Sequence, residues 1–236
     1  MSIHSREQAY IRILAGEKRT VKELSEQLSI SEPTVRRDIL AMKQKGLIEC
    51  KRGTVSLIAN SPDARIPLNV RDYENPEKKI IIAQRAIQRI QDGDCIMMDA
   101  STSTHALIPF LHKFKNLFVI TNGSRAAISL AAAGIKTICT GGEITHESFS
   151  YVGTDAEALL QRYNANVAFF SCRGLNEKGF ATDNSLLENS IRRIMMQKSK
   201  RQYLLCDSSK FNKTFFNTLC SYKEVTEIIS DIDLHF

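Results

Sequence analysis

The sequence has 236 residues, 43% of them hydrophobic and 25% charged, with a net charge of +6. It contains no apolar run near the roughly 20 residues that cross a bilayer, and its N-terminus, MSIHSREQAY, lacks the apolar core of a secretory signal. These features exclude a helical membrane protein, and we expect a cytoplasmic chain with no membrane partner. Residues 1–60 hold 11 Lys and Arg against 7 Asp and Glu, and a nucleic acid is the simplest partner for that excess.

Residues 20–54 have the outline of a helix-turn-helix followed by a hairpin. Thr20 and Glu23 have the spacing of a capping box, which predicts the start of one helix. Ser31 is predicted to cap a second helix that runs from about residue 32 to residue 45. The apolar positions of that second helix fall on one narrow stripe, which contains Val35, Ile39 and Met42.

The face of the second helix that points away from this stripe is small, polar and basic. Thr34 and Arg37 lie on the outward side, with Arg36 and Asp38 on the flanks, and such a face suits a major groove. A basic hairpin then places cations near the DNA backbone. The residues predicted to bind double-stranded DNA are Ser31, Thr34, Arg36, Arg37, Lys51 and Arg52. The alternative is a small helical domain whose charges are merely solvated.

The run SEPTVRRDILAMKQKGLI resembles the helix-turn-helix of the DeoR family of bacterial sugar-metabolism repressors, where Ser or Thr, Arg-Arg-Asp and a later Gly-Leu recur in this order. That family usually has His-Gly-Gly in its wing, whereas this sequence has Arg52, Gly53 and Thr54. The resemblance implies a winged helix-turn-helix that binds an operator. One such module reads only a half-site, so we expect a homo-oligomer, either a dimer or a tetramer.

A winged helix needs about 60 residues, so this chain has room for a second and larger domain. Between Ile58 and Lys79 the hydrophobic periodicity is lost, and three prolines mark a connector. We therefore place a DNA-binding domain at residues 1–57, a linker at 58–75, and an effector-sensing and oligomerisation domain at 76–236.

Beyond the linker, short apolar runs alternate with helical stretches. The sequence predicts a first helix that ends at Gly93, and further helices that begin at about Ser103, Ser124, Thr154 and Asn184. The predicted strands are CIMMD, LFVIT, IKTICT, VAFFS, YLLCD and EIIS. This alternation predicts an α/β domain with a mainly parallel sheet that is covered on both faces.

Ligands of open parallel sheets bind at the carboxyl ends of the strands, and here those ends are polar. After CIMM, four consecutive hydroxyl residues precede a helix, where hydroxyl and N–H groups could receive a phosphate. After YLLCD, Lys210 supplies a cation. Taken singly, each loop is also typical of ordinary caps and turns. The effector-binding residues predicted from these loops are Asp99, Ser101, Thr102, Ser103, Thr104, Thr121, Asn122, Gly141, Gly142, Arg173, Gly174 and Lys210.

The second half also resembles the DeoR effector domain, whose fold is shared with ribose-5-phosphate isomerase and glucosamine-6-phosphate deaminase. The resemblance implies a sugar-phosphate sensor whose ligand weakens operator binding, and it adds Glu188 to the predicted site. Two positions depart from the family pattern: Ala100-Ser101 replaces Ser-Gly, and Arg173 stands where Asp or Asn is common. The matching residues are Asp99 to Thr104, Thr121-Asn122, Gly141-Gly142, Tyr151-Val152-Gly153, Gly174, Gly179 with Thr182, Glu188, and Asp207 to Phe211.

We predict no catalytic site, metal site or cofactor. The six cysteines are widely spaced without a Cys-x-x-Cys pair, and the five histidines lack ligand spacing. The related isomerases carry clustered acids after the strand corresponding to VAFF, where this chain has Ser171-Cys172-Arg173-Gly174. The alternatives are a sugar-phosphate isomerase-like enzyme with an appended DNA-binding domain, using Asp183 and Glu188 as acids, and an activator or DNA-architectural protein without a ligand.

Overall fold

The computed structural model describes residues 3–14, 17–57, 68–72 and 74–234 of the chain. The chain forms two compact units, Met1–Glu74 and Asn75–Phe236. Each unit has its own apolar core: one buried cluster lies in the first unit and two lie in the second.

The first unit contains the winged helix-turn-helix that the sequence predicts. Its helices are α1 (Ile3–Leu14), α2 (Val21–Leu28), α3 (Glu32–Gln44) and the short α4 (Leu68–Arg71). Its strands are β1 (Arg19–Thr20), β2 (Ile48–Lys51) and β3 (Thr54–Leu57), which pair antiparallel in the order β1-β3-β2.

Local sequence signals explain how α2 and α3 begin. The Thr20 side chain accepts a hydrogen bond from the Glu23 N–H at 3.2 Å, and a Glu23 carboxylate oxygen accepts one from the Thr20 N–H at 2.6 Å, so the predicted capping box is confirmed. The predicted N-cap position of α3 is confirmed, but the capping hydrogen bond is absent. Ser31 occupies the N-cap position, but its hydroxyl pairs with that of Thr34 at 3.0 Å instead of capping the backbone. Pro33, the second residue of α3, has no N–H to offer.

The second unit alternates strands and helices along the chain. Its helices are α5 (Pro76–Ala86), α6 (Thr102–His105), α7 (Ser124–Ala132), α8 (Thr154–Gln161) and α9 (Leu186–Gln197). Its strands are β4 (Cys95–Met98), β5 (Phe118–Thr121), β6 (Lys136–Cys139), β7 (Glu143–Ile144), β8 (Tyr151–Val152), β9 (Ala165–Ser171), β10 (Gly174–Leu175), β11 (Phe180–Asp183), β12 (Ser199–Leu205), β13 (Asn217–Ser221) and β14 (Glu227–Ile229).

Six of these strands form the main sheet, in the order β14-β12-β9-β4-β5-β6, and every neighbouring pair is parallel. Successive residues of a strand point to opposite faces, and both faces are apolar here. Ile96 and Met98 belong to one buried cluster, while Met97 between them belongs to the other. The predicted α/β class with a parallel sheet covered on both faces is therefore confirmed.

One predicted helix is shorter than expected. Helix α5 gives way to a 3₁₀ turn at Ile87–Arg89 instead of continuing to Gly93, and the next chain segment turns so that the Asp94 carboxylate accepts the Gln91 N–H at 2.9 Å. Helix α6 has only four residues. Proline clashes with the carbonyl four residues before it, so Pro109 opposes an α-helix that would continue past His105.

Small antiparallel pairings were not predicted and lie close to the carboxyl edge of the main sheet. Strands β10, β11 and β13 form a three-stranded sheet, and β7 pairs with β8. In the part of the chain that the structure describes, no helix is long and apolar enough to span a membrane.

Candidate functional site

Helix α3 presents two arginines to solvent in the first unit. Arg36 and Arg37 are exposed, and Thr34 is half-buried on the same helix. Arg36 reaches Glu32, one turn earlier, at 3.3 Å. No hydrogen bond or ion pair joins Arg37 to any residue that the structure describes in this unit. Arg37 therefore offers its whole guanidinium to a partner.

Asp38 is the one flank residue whose expected position is wrong, because it is buried instead of lining the outward face. Two of its contacts come from the Arg6 guanidinium, at 2.8 and 3.2 Å, and the Tyr10 hydroxyl lies 3.4 Å away. Burial and the neighbouring Asp38 carboxylate raise the pKa of Tyr10. These contacts attach α3 to α1 and thereby fix the orientation of the exposed arginines.

The wing is a two-residue hairpin turn with a cation at its tip. Lys51 pairs with Thr54 across the hairpin, so Arg52 and Gly53 form the turn. Both have positive φ, 50° and 80° respectively, which is the conformation of a type I′ turn. Glycine adopts it freely, whereas arginine is strained there. Lys51 also contacts Glu49 at 2.8 Å, and this pairing lowers the pKa of the Glu49 carboxyl.

The predicted effector residues of the second unit follow the carboxyl ends of the parallel strands. The chain adds β5 and β6 on one side of β4 and then β9, β12 and β14 on the other, so the topological switch point lies between β4 and β9. Asp99, which follows β4, accepts a hydrogen bond from the Ser171 N–H at the end of β9, at 3.2 Å. The loops that flank the switch point are thus in contact, where open α/β sheets bind ligands.

Much of the loop Asp99–Thr104 is occupied with its own hydrogen bonds. The Ser101 hydroxyl caps α6 by accepting from the Thr104 N–H at 3.2 Å, and the Thr104 hydroxyl lies 2.8 Å from the Asp99 carbonyl oxygen. Asp99, Ser101, Ser103 and Thr104 are all buried, whereas Thr102 is half-buried. These bonds fix the shape of the loop, and Thr102 is its most accessible hydroxyl.

A buried arginine that sequence reasoning missed organises the acidic residues around the switch point. The Arg192 side chain is 6% exposed and contacts Asp99 at 2.9 Å, Asp183 at 2.8 Å and Glu188 at 3.4 Å. Burial alone would lower the pKa of Arg192, but the three carboxylates outweigh it and raise that pKa. Likewise, burial would raise the pKa of Asp183, but Arg192 and Arg173 lower it. The signal available in the sequence was the four-residue spacing of Glu188 and Arg192 on one helix.

Glu188 is fixed by hydroxyl groups as well as by Arg192. Its carboxylate accepts hydrogen bonds from Ser148 and, at 2.8 Å, from Ser150. Both serines lie in the segment that connects β7 to β8. The Glu188 carboxylate therefore joins this hairpin to helix α9. Arg192 thus forms ion pairs with three carboxylates, those of Asp99, Asp183 and Glu188.

Two cations stand at the edge of this network. The Lys210 ammonium donates to the Ser171 hydroxyl at 2.8 Å and lies 3.6 Å from Asp207. The Arg173 guanidinium lies 4.0 Å from Asp183. Their side chains are 20% and 16% exposed, so both are partly accessible from solvent. Lys210 adjoins the network through Ser171, and Arg173 adjoins it through Asp183.

Gly142 and Gly174 have identifiable packing roles, whereas Gly141 has a conformational one. A Cβ on Gly174 would stand 2.4 Å from the Lys213 carbonyl oxygen, and a Cβ on Gly142 would stand 2.8 Å from that of Val152. Gly142 also has a φ of 102°, and Gly141 has a φ of 66°. In the main sheet, β6 and β12 are four strand spacings apart, which is roughly 19 Å at about 4.8 Å each. The glycine pair after β6 is thus well separated from the turn that follows β12.

Two buried polar atoms near the glycine pair lack a hydrogen-bond partner among the described residues: Asn122 Oδ1 and Thr140 Oγ1. The two side chains are 2% and 5% exposed, and they follow the adjacent strands β5 and β6. The Thr140 N–H donates to the Thr121 carbonyl at 3.0 Å, which continues the parallel pairing past the strand ends. Buried polar groups are nearly always satisfied, so these atoms have capacity for a ligand hydroxyl or a water.

The predicted site residues thus fall into separate groups. Those for DNA lie in the first unit, on α3 and the wing. In the second unit, shared contacts join Asp99, Glu188, Arg173 and Lys210 through Arg192, Asp183 and Ser171. No group of three or more His, Cys, Asp or Glu residues suited to a metal occurs among the residues that the structure describes.

Two family models match the chain in sequence order. Residues 6–61 match the DeoR-like helix-turn-helix domain, and residues 74–232 match the DeoR C terminal sensor domain. The HTH-type transcriptional regulator IolR of Bacillus subtilis is 33% identical over 213 residues, which cover 89% of this chain and 84% of IolR. The L-fucose operon activator of Haemophilus influenzae is 34% identical over 219 residues, which cover 92% of this chain and 87% of the activator.

Solved structures are similar in fold at low sequence identity. The δ subunit of eIF2B from Chaetomium thermophilum aligns with a TM-score of 0.51 and 18% identity, over 71% of this chain and 59% of that chain. Ribose 5-phosphate isomerase A from Methanocaldococcus jannaschii aligns with a TM-score of 0.44 and 16% identity, over 58% of this chain and 55% of that chain. The likeness to eIF2B δ concerns the fold alone.

Proposed function

This chain belongs to the DeoR family of transcriptional regulators, and from that premise we propose that it represses a sugar or carbohydrate catabolic operon and leaves its operator when a phosphorylated sugar binds. The observation that carries the proposal is the combination of an exposed basic recognition helix in one unit with Lys210 at the ligand edge of a parallel sheet in the other. The sign of regulation is part of the proposal, since one relative is named an activator.

The DNA partner is supported by the geometry of the first unit. The outward arginines of α3 suit base edges or phosphates in the major groove, and the cation at the wing tip suits the backbone. We assign operator binding to the six predicted residues, with different roles. Ser31 and Thr34 share a hydrogen bond at the start of α3, whereas Arg36, Arg37, Lys51 and Arg52 supply positive charge.

The effector is assigned to the edge of the sheet around the switch point. Lys210 and Arg173 are the cations for a phosphate, with Thr102 and Ser103 as neighbouring hydroxyls. Asp99, Ser101, Thr104 and Glu188 hold the walls of this site in place through the contacts described above. Thr121 and Asn122 follow β5, three strand spacings or roughly 14 Å from β12 at about 4.8 Å each, so we assign them to the far end of the sugar, where Asn122 Oδ1 has unused hydrogen-bonding capacity. Gly141, Gly142 and Gly174 maintain the backbone of the loops to which they belong.

We propose that the chain is not an enzyme, although its second unit has an isomerase-like architecture. Proton transfer between neighbouring carbons requires a carboxylate base that is free to reach the substrate. Asp99, Asp183 and Glu188 instead share the Arg192 guanidinium, and Ser171-Cys172-Arg173-Gly174 places no acid after β9. The isomerase-like alternative is not favoured by the family matches.

The active species is proposed to be a symmetric homo-oligomer in the cytoplasm, where the operator DNA is. Two winged helices on one duplex read two half-sites and gain affinity over one. Sedimentation equilibrium of the full chain at micromolar concentration tests this directly. A dimer or tetramer is expected, and a strict monomer, both free and on operator DNA, would contradict the proposal.

A two-step screen tests the proposed function. The chain is first heated with individual phosphorylated sugars and with the corresponding free sugars, because a ligand that binds only the folded state raises the melting temperature. Each stabilising compound is then added to the chain bound to its operator. The proposal expects a phosphorylated sugar that both stabilises the chain and releases the DNA. Stabilisation by free sugars alone, or tighter DNA binding with every stabilising compound, would overturn it.

A further inference from the structure

The turn that carries Lys210 contacts the first turn of helix α5, which directly follows the predicted linker. The Asn75 side-chain amide donates to the Ser209 hydroxyl at 3.0 Å, and the Lys78 ammonium lies 2.6 Å from the Ser208 hydroxyl. The sequence separation of these pairs is more than 100 residues. We call these two hydrogen bonds the α5 bridge.

The turn at the far end of this bridge is held firmly on its other side. The Asp207 carboxylate accepts the Ser209 N–H at 3.2 Å, and the Asp231 carboxylate accepts the N–H and hydroxyl of Ser208 at 2.6 and 2.8 Å. Burial would raise the pKa of Asp231, but the bonds from Ser208 outweigh it and lower that pKa. The turn is thus short and multiply bonded, and Ser208 and Ser209 directly precede Lys210 in it.

Asn75 has an unusual conformation at the start of α5. Its φ of 49° and ψ of 50° lie in the left-handed region, and its side chain makes no capping bond to the helix. Asparagine tolerates this region better than most residues, though at some cost. The side chain is used for Ser209 instead of for the helix it precedes. The chain direction at the end of the linker therefore depends on a contact with the Lys210 turn.

We propose that the α5 bridge transmits effector binding at Lys210 to the linker and so to the DNA-binding domain. This inference rests on the proposed function, because it needs a phosphorylated effector at that lysine. A phosphate that takes Lys210 from Ser171 and Asp207 shifts the Asp207–Lys210 turn, and Ser208 and Ser209 carry the shift to Lys78 and Asn75. The shift reaches Asn75 last, and Asn75 is the residue at which the predicted linker enters the second unit.

The proposal separates residues that bind the effector from residues that transmit its effect. The double variant Asn75→Gly, Lys78→Met removes the bridge while glycine keeps the positive φ and methionine keeps the aliphatic stem. Ribose 5-phosphate, glucose 6-phosphate and fructose 1-phosphate are each titrated by calorimetry and, separately, in an operator-release assay. The expected result is an effector affinity within about twofold of wild type, with release reduced from about a hundredfold loss of DNA affinity to less than about tenfold.

Lys200→Met is the matched control, since Lys200 is exposed in the same unit and loses the same charge. It should release DNA as wild type does. A double variant that binds effector and releases DNA as wild type does would overturn the proposed role of the α5 bridge. If no sugar phosphate releases wild type, the proposed function fails as well, which is a distinguishable result.

Hydrogen exchange gives a second measurement that needs no variant. In the full-length chain, saturation with whichever of the three sugar phosphates binds should change the exchange of amides in residues 77–80 together with those in 207–211. Circular dichroism of the double variant checks that its fold is retained. Protection confined to residues 207–211, with residues 77–80 unchanged, would overturn the proposed route.

Discussion

Arg37 is the side chain on which the proposed DNA recognition depends most directly, because it is exposed and lies opposite the buried stripe of α3. Arg37→Ala should weaken operator binding by about 1–3 kcal/mol if the guanidinium makes a bidentate base contact. The measurement is operator affinity at fixed moderate salt, with Lys200→Ala as a control that removes the same charge from the second unit. Equal affinity of wild type and Arg37→Ala would remove Arg37 from the proposed contact surface.

Arg192 carries the largest expected effect on stability. Removing one partner of a buried ionic network leaves uncompensated charge, so Arg192→Met should lower the free energy of unfolding by about 3–5 kcal/mol. Arg192→Lys keeps the charge but loses the planar fork that serves three carboxylates, so its loss should be smaller. Urea denaturation monitored by circular dichroism measures both. A stability of Arg192→Met equal to wild type would show that the network contributes nothing.

The same network predicts a response to acid. The pKa of Asp183 is lower in the folded chain than its ordinary value, so its contribution to stability is complete above the unfolded pKa, at about 3.9. That contribution is lost as the pH falls below this value and through the folded pKa. The urea midpoint of wild type should therefore drop between about pH 5 and pH 3 more than that of Asp183→Asn. Parallel pH profiles would contradict this.

Residue roles were predictable from sequence where the cause is local. The capping box at Thr20 and Glu23 needs only neighbours in sequence, and it is confirmed. Asp38 and Arg192 were misjudged or missed because their partners are distant: Arg6 lies 32 residues from Asp38, and Asp99 lies 93 residues from Arg192. Helical position gives the direction of a side chain, but only the tertiary fold gives its partner.

At the scale of elements, two substitutions in the wing test the contribution of its charge separately from that of its backbone conformation. Arg52→Asn removes the cation but suits the positive φ of the turn, so it should leave stability unchanged or slightly raised. It should also lower the salt dependence of DNA binding by about one unit. Gly53→Ala keeps the charge but strains the turn, at about 1 kcal/mol. Affinity and its salt slope are measured for both, and an unchanged slope in Arg52→Asn would exclude a backbone contact.

Elements with strong patterns were predicted well, and short ones were not. The six apolar runs became the six strands of the parallel sheet, because buried strands need continuous hydrophobic sequence. Strands β7, β8 and β10 have two residues each, too few to show periodicity. Helix α6 has only four residues, and Pro109 opposes its continuation past His105. These small elements lie next to the proposed effector site. The loops and short strands of that site were therefore less predictable than the parallel sheet below them.

At the scale of the whole molecule, the proposal requires the two units to be coupled. The predicted effector residues belong to Asn75–Phe236, and the residues predicted to bind DNA belong to Met1–Glu74. A hundredfold loss of operator affinity requires about 2.7 kcal/mol of differential effector binding between the two functional states. The predicted linker and the interface of the proposed oligomer are the routes available for that coupling. The contacts of the Lys210 turn were not predictable from the sequence, because their partners are more than 100 residues away.

The central claim is that a phosphate bound at Lys210 releases the operator. Lys210→Met should weaken binding of a releasing sugar phosphate by about tenfold to a hundredfold, because a charge-assisted hydrogen bond contributes about 1.5–3 kcal/mol. Its operator affinity without effector should equal that of wild type, since the substitution lies outside the DNA-binding unit. Lys213→Met removes a nearby exposed lysine and should behave as wild type.

The measurement is a titration of operator complexes of wild type, Lys210→Met and Lys213→Met with the releasing sugar phosphate and with the same sugar lacking phosphate. The account predicts that wild type and Lys213→Met release DNA at the same concentration of the phosphorylated sugar, that Lys210→Met needs far more, and that the free sugar is much weaker throughout. Release of Lys210→Met at the wild-type concentration, or equal release by the free sugar, would contradict it.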